Sequence, residues 1–88
     1  MRLVYSSQFK KDFKKIQSQG KDIHLLETIL EILLKNQPLE PKYRDHKLAG
    51  KWQNHRDCHV EPDWLLIYRL TNDALYLERT GSHSELFK

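Results

Sequence analysis

The apolar residues of this chain change their spacing near its middle, and that change limits it to a fold with helices first and strands after. Phe9, Phe13 and Ile16 recur at intervals of three and four, as one face of a helix requires. Ile23, Leu26, Leu30 and Leu33 repeat the pattern, broadened by Ile29 and Leu34. Residues 3–5 form a short apolar run before the first helix, which Ser6 or Ser7 can cap; Gly20 supplies a left-handed stop, and Asp22 caps the second helix. Pro38 follows its end.

Beyond Pro38 the helical period is gone. Residues 38–50 mix Pro, Asp, His, Lys and Gly without a period and read as a loop that carries His46. Three β-rich runs follow, 52–60, 64–70 and 75–80, broken by Glu61-Pro62-Asp63 and by Asn72-Asp73. They predict an antiparallel meander. Regular pairing puts Cys58 and Val60 on one face of the first strand and Asp57 and His59 on the other. Two helices cover only one face of such a sheet, so the other meets solvent or a ligand. The expected class is α+β, with two N-terminal helices on a small, mostly antiparallel sheet.

With 88 residues the chain is one domain, since halving it leaves no adequate core. A domain of this size buries only about 60% of the surface its unfolded chain exposes, and a tightly bound partner adds stability by mass action. The single Cys58 cannot form an internal disulfide, and the first twenty residues lack a signal-peptide core, so a reducing cytoplasm is expected. Residues 25–34 are broken by Glu27, Thr28 and Glu31, well short of the roughly 20 apolar residues that span a bilayer. No membrane association is expected.

Fifteen Lys and Arg against twelve Asp and Glu leave a net charge of +3, too small to define a nucleic-acid ligand by itself. Its distribution is more informative. Lys10, Lys11, Lys14, Lys15 and Lys21 crowd the first helix and its end, either tracking a phosphate backbone or lining a solvated helix face.

Five histidines is a high number for this length, and His46, His59 and His83 stand near the ends of expected strands. Cleaving RNA without a metal needs a base for the 2′-hydroxyl proton, an acid for the 5′-oxygen and cations for the charged intermediate. Histidine suits both proton roles. Asp63 is a candidate base or orienting group, against the simpler reading of a turn residue. Arg56 and Arg79 are candidates for phosphate, against surface pairs with Glu61 or Glu78. Trp64 and Phe87 are candidate stacking platforms, against burial of the first and a C-terminal latch for the second.

Other chemistries fall away. His55 and His59 stand roughly 13 Å apart on a strand, too far to share a zinc ion. His59-Val60-Glu61 matches one fragment of the zinc-deaminase signature, but a single cysteine cannot supply the C-x-x-C partner. There is no Gly-rich phosphate loop and no G-x-S-x-G elbow. No cofactor is expected.

The stretch Asp45-His46-Lys47-Leu48-Ala49-Gly50-Lys51-Trp52, then Arg56-Asp57-Cys58-His59-Val60-Glu61-Pro62-Asp63-Trp64, Leu66-Ile67-Tyr68 and residues 79–87, resembles the YafQ-type toxins of the RelE superfamily. The resemblance spans the C-terminal half in the family's order and spacing. It implies a ribosome-dependent endoribonuclease that cuts messenger RNA in the A site, with the N-terminal strand at or near a sheet edge. It also implies that His46, His59, Asp63 and His83 form the catalytic set, with Trp64 and Phe87 placing the substrate. A small antitoxin, usually of the ribbon-helix-helix, DinJ-like type, is the implied partner, and operator DNA is reached only through that complex. The competing reading is a non-catalytic toxin on the same fold, such as the gyrase-inhibiting ParE type, or a decayed toxin that keeps only antitoxin binding.

Overall fold

The structure is a computed structural model describing residues 1–87. Strand β1 (Arg2–Tyr5) leads into α1 (Ser7–Ser18) and α2 (Ile23–Leu34). Both expected caps form. Ser6 Oγ accepts the Phe9 N–H at 2.9 Å and donates to the Glu78 carbonyl at 2.8 Å, so the cap of α1 is also stitched to the last strand. Asp22 accepts the His24 N–H at 3.0 Å. Gly20, at φ 75°, reverses the chain after α1 while Lys21 N–H reaches the Ile16 carbonyl. Asn36, at φ 54°, plays the same part after α2.

The C-terminal half contains β2 (His46–Lys47), β3 (Arg56–Glu61), β4 (Trp64–Leu70), β5 (Ala74–Gly81) and α3 (His83–Leu86). The expected meander is present, but two details differ. The segment read as a loop contains β2, and the run 52–60 yields a strand only from Arg56, because a 3₁₀ turn occupies Gly50–Trp52. The five strands lie in the order β1-β5-β4-β3-β2. The pairing of β1 with β5 is parallel and the others antiparallel, which puts β1 at an edge.

Strand β4 is the centre. Trp64, Leu66 and Tyr68 join Phe9, Ile16, Leu26, Ile29 and Leu33 in the main core under the helices. Leu65 and Ile67 point to the other face, where they pack with Leu86 and with the partly buried Leu48, Trp52 and Phe87. That second face carries only a small apolar cluster. No helix among the described residues is long and apolar enough to cross a membrane.

Because β1 ends at Tyr5, β5 has an open edge beyond Leu77, and α1 closes it through Asp12. The buried carboxylate accepts the Thr80 N–H at 3.1 Å and Arg79 Nε at 2.7 Å. Thr80 Oγ1 in turn accepts the indole N–H of Trp64 at 2.9 Å and donates to the Leu65 carbonyl at 2.8 Å. Removing the carboxylate orphans a buried N–H and a guanidinium together. Asp12→Ala is therefore expected to lower stability by about 3 kcal/mol in urea unfolding; a loss under about 0.5 kcal/mol, the range of an ordinary surface change, contradicts this reading of the edge.

Candidate active site

Residues paired across a sheet share a face, and the register gathers the histidines on the side the helices leave uncovered. His46 pairs with Asp57, Asp57 with Ile67, and Ile67 with Arg79. One pair further along, His59 meets Leu65 and Leu65 meets Gly81. The expected split along β3, with Cys58 and Val60 facing the helices and Asp57 and His59 facing away, is what the two apolar clusters and the register require.

Both histidines on this face have a backbone carbonyl at Nδ1. His46 Nδ1 lies 2.8 Å from the Arg44 carbonyl, and His59 Nδ1 lies 3.1 Å from the Pro62 carbonyl. A carbonyl only accepts, so each Nδ1 carries the proton and each neutral ring keeps its lone pair on Nε2. His46 remains half exposed. In its neutral form each ring thus presents Nε2 as the basic nitrogen.

Between them sits Asp57, only 4% exposed. Its Oδ1 is 3.0 Å from His46 Nδ1, an ion-pair distance, yet it has no hydrogen-bond partner among the described residues. The Nδ1–H is hydrogen-bonded to the Arg44 carbonyl, and the Asp57 carboxylate, at ion-pair distance from the same nitrogen, also favours a proton there. Burial pushes the Asp57 carboxyl up, while positive charge on His46, then His59, then His83 draws it down. All three candidate histidines therefore act on one buried carboxyl.

His83 arrives from the C-terminal turn. Asp63 Oδ1 accepts its backbone N–H at 3.1 Å, and the ring lies 5.0 Å from that of Phe87, centroid to centroid. A capping box fixes α3: Ser82 Oγ accepts the Glu85 N–H at 3.3 Å, and Glu85 Oε1 accepts the Ser82 N–H at 2.9 Å. Glu85 also pairs with Lys15 of α1. Gly81, at φ 155°, makes this closure feasible, since a Cβ there would stand 3.1 Å from Glu85 Oε1. Among the described residues, no three His, Cys, Asp or Glu side chains are arranged to hold a metal ion.

A family profile described as the bacterial toxin of type II toxin–antitoxin systems, YafQ, matches residues 1–88. The chain belongs to the YafQ toxin family. It is 49% identical over 86 residues to the Escherichia coli K12 mRNA interferase toxin YafQ, covering 97% of this chain and 94% of the relative. The crystal structure of YafQ from E. coli superposes with a TM-score of 0.94 at 46% identity, covering all of both chains. YafQ in the E. coli DinJ–YafQ complex superposes at 0.92 with 47% identity, again over both chains in full.

Three expectations for this YafQ-family chain, for Trp64, Arg56 and Arg79, are revised by the geometry. Trp64 is fully buried with its N–H bonded to Thr80, so it has no face to offer a base; alternation along β4 aligns it with Leu66 and Tyr68 under the helices. Arg56 stands opposite Tyr68 on that same helix-covered face, and its Nε and Nη2 hold Asp45, whose Oδ1 also accepts the Tyr68 hydroxyl. It is not on the histidine face, and its partner is neither Glu61 nor Glu78. Arg79 does occupy the histidine-face register, but it is anchored on Asp12 rather than on Glu78 or Glu61. The lysines of α1 divide: Lys10 and Lys14 rim an apolar groove between α1 and α2, while Lys11 and Lys15 border the crevice beside Arg79 and Glu85.

Alternation along β3 puts Asp57 on the histidine face, and its contact with His46 makes it part of the site. The sequence signal for it is an acidic residue two positions before His59 on the same face of β3.

The Lys15 ammonium, followed by the Ser82 N–H, holds the Glu85 carboxyl down at about 2. Because this lies below the ordinary value of 4.5, the stabilisation is complete above about pH 4.5 and is lost as the pH falls toward about 2. The Tm difference between wild type and Glu85→Gln should be largest above that window and close within it; a difference that does not change with pH contradicts the charge-based account.

Proposed function

We propose that this chain is a ribosome-dependent endoribonuclease that cleaves messenger RNA in the A site without a metal ion, as the toxin of a type II toxin–antitoxin pair. The observation that carries the reading is the pair of imidazoles with Nε2 lone pairs on the uncovered sheet face, with His83 joining them from α3. Membership in the YafQ family and a relative named mRNA interferase support the substrate class. The antitoxin is of the DinJ type, in keeping with the E. coli complex of the two proteins. A flexible antitoxin tail that orders on binding suits a toxin of this size, and the exposed lysines of α1 offer it, or ribosomal RNA, a favourable field.

In the proposed reaction a base takes the 2′-hydroxyl proton, and the 2′-oxygen attacks the adjacent phosphorus. The P–O5′ bond breaks as an acid protonates the leaving 5′-oxygen, leaving a 2′,3′-cyclic phosphate and a 5′-hydroxyl. His83 is assigned as the acid. His46 serves as the base, with Asp63 as the other candidate, and His59 with Arg79 compensates charge on the phosphate. The bond from Asp63 to the His83 N–H gives Asp63 a second part, that of aiming α3. Phe87, beside His83, is the remaining stacking surface once Trp64 is assigned to the core.

The test is primer extension on messenger RNA bound to ribosomes. Wild type should give codon-phased ends that require the ribosome, and His83→Ala should lose about 10²- to 10⁴-fold in cleavage rate. Phe87→Ala should weaken substrate binding by about tenfold, the value of one lost base stack. Arg56→Lys, across the sheet, should cut at the wild-type rate per folded molecule. Folded wild-type protein that leaves ribosome-bound message intact overturns the reading.

A further inference from the structure

We propose that Asp57 is a positioning residue for His46, helping the Arg44 carbonyl to hold its Nδ1–H tautomer and compensating the charge of the imidazolium that forms when Nε2 takes a proton. The proposal rests on the nuclease reading for its catalytic consequence, but its physical content is a property of the free protein. Three observations carry it. Asp57 is directly across the β2–β3 ladder from His46, with Oδ1 3.0 Å from His46 Nδ1. The carboxylate is buried, and that oxygen has no hydrogen-bond partner among the described residues. Structural carboxylates elsewhere in the chain are heavily bonded, as Asp12 is to Thr80 and Arg79 and Asp45 is to Arg56 and Tyr68.

A buried polar atom without a partner is destabilising, so an uncompensated Asp57 oxygen calls for a reason. Beside a neutral His46 the carboxyl is poorly served. Once Nε2 accepts the 2′-hydroxyl proton, His46 becomes a cation 3.0 Å from that oxygen, and attraction in a partly dry site reaches its full value. The interaction is therefore stronger in the charged state formed during the reaction than in the resting one, which is the condition for raising rate rather than binding. The Arg44 carbonyl holds the proton on Nδ1, and the buried carboxylate adds the charge that a carbonyl lacks. A carboxylate at the far nitrogen of a histidine base does the same in serine proteases.

The charged and titratable groups that face Asp57 are His46 from β2, His59 on its own strand, His83 from α3 and Asp45 from the segment before β2. The three histidines favour its ionised form and Asp45 opposes it. Positive charge on any of the three histidines thus helps to ionise the carboxyl.

The experiment uses the full chain and reads two quantities. In ¹⁵N–¹H spectra correlating the imidazole nitrogens with ring carbon-bound protons, neutral His46 should show the Nδ1–H tautomer in wild type. Asp57→Asn should convert it to a mixture, while the thermal transition stays cooperative. In single-turnover cleavage on ribosomes, Asp57→Asn should lose about 10²-fold or more in the maximal rate with substrate affinity unchanged, and the pH–rate profile should change shape. An unchanged His46 tautomer and an unchanged profile in folded Asp57→Asn overturn the proposal by assigning the orientation to Arg44 alone. If that variant does not fold, the wild-type spectrum decides: an Nε2–H tautomer of His46 excludes the role, and an Nδ1–H tautomer lost in Asp57→Glu, which displaces the carboxylate, supports it. Wild-type protein with the expected tautomer but no cleavage sinks the nuclease reading and leaves the Asp57–His46 coupling standing.

Discussion

Strand β4 is buried on both faces, and the division of labour in the molecule follows from its alternation. Trp64, Leu66 and Tyr68 face α1 and α2 and form the centre of the main core. Leu65 and Ile67 face the other way and support Leu86 and Phe87. Strands β3 and β5 inherit that division through their register with β4, so the identity of a residue's face decides whether it serves packing or chemistry. His46, Asp57, His59 and Arg79 sit in the row continuous with Leu65 and Ile67.

Two buried or half-buried carboxylates then hold the edges of this sheet. Asp12 closes the exposed end of β5 and anchors Arg79, so α1 helps to set where that guanidinium lies. Asp45 gathers Arg56 and Tyr68 beside β2, ahead of His46. Burial pushes the Tyr68 hydroxyl up, so it stays a proton donor to Asp45 throughout the physiological range. Asp57, with an oxygen that finds no hydrogen bond among the described residues, differs from both, and it stands beside His46.

Much of this was legible in the sequence, for identifiable reasons. Both helices followed from a 3.6-residue period and from caps that act over three residues or fewer, Ser6 to Phe9 and Asp22 to His24. The meander followed from turn chemistry at Pro62-Asp63 and Asn72-Asp73. Strand β2 was missed because two residues have no period, and only pairing with β3 makes them a strand. The arginine partners were missed because Asp12 and Arg79 are 67 positions apart, beyond any local rule. Trp64 could have been assigned to the core from alternation alone, since it shares its parity with Leu66 and Tyr68.

The central claim is that substrate meets the sheet face opposite the helices. The most direct measurement is an amide and imidazole chemical-shift titration of the chain with a short RNA whose 2′-hydroxyl at the cleavage position is methylated to block reaction. Saturable shifts confined to His46, Asp57, His59, His83, Phe87 and the end of β5 are the predicted result. Saturable shifts confined instead to the groove between α1 and α2, around Lys10, Phe13, Lys14 and Leu30, would contradict it.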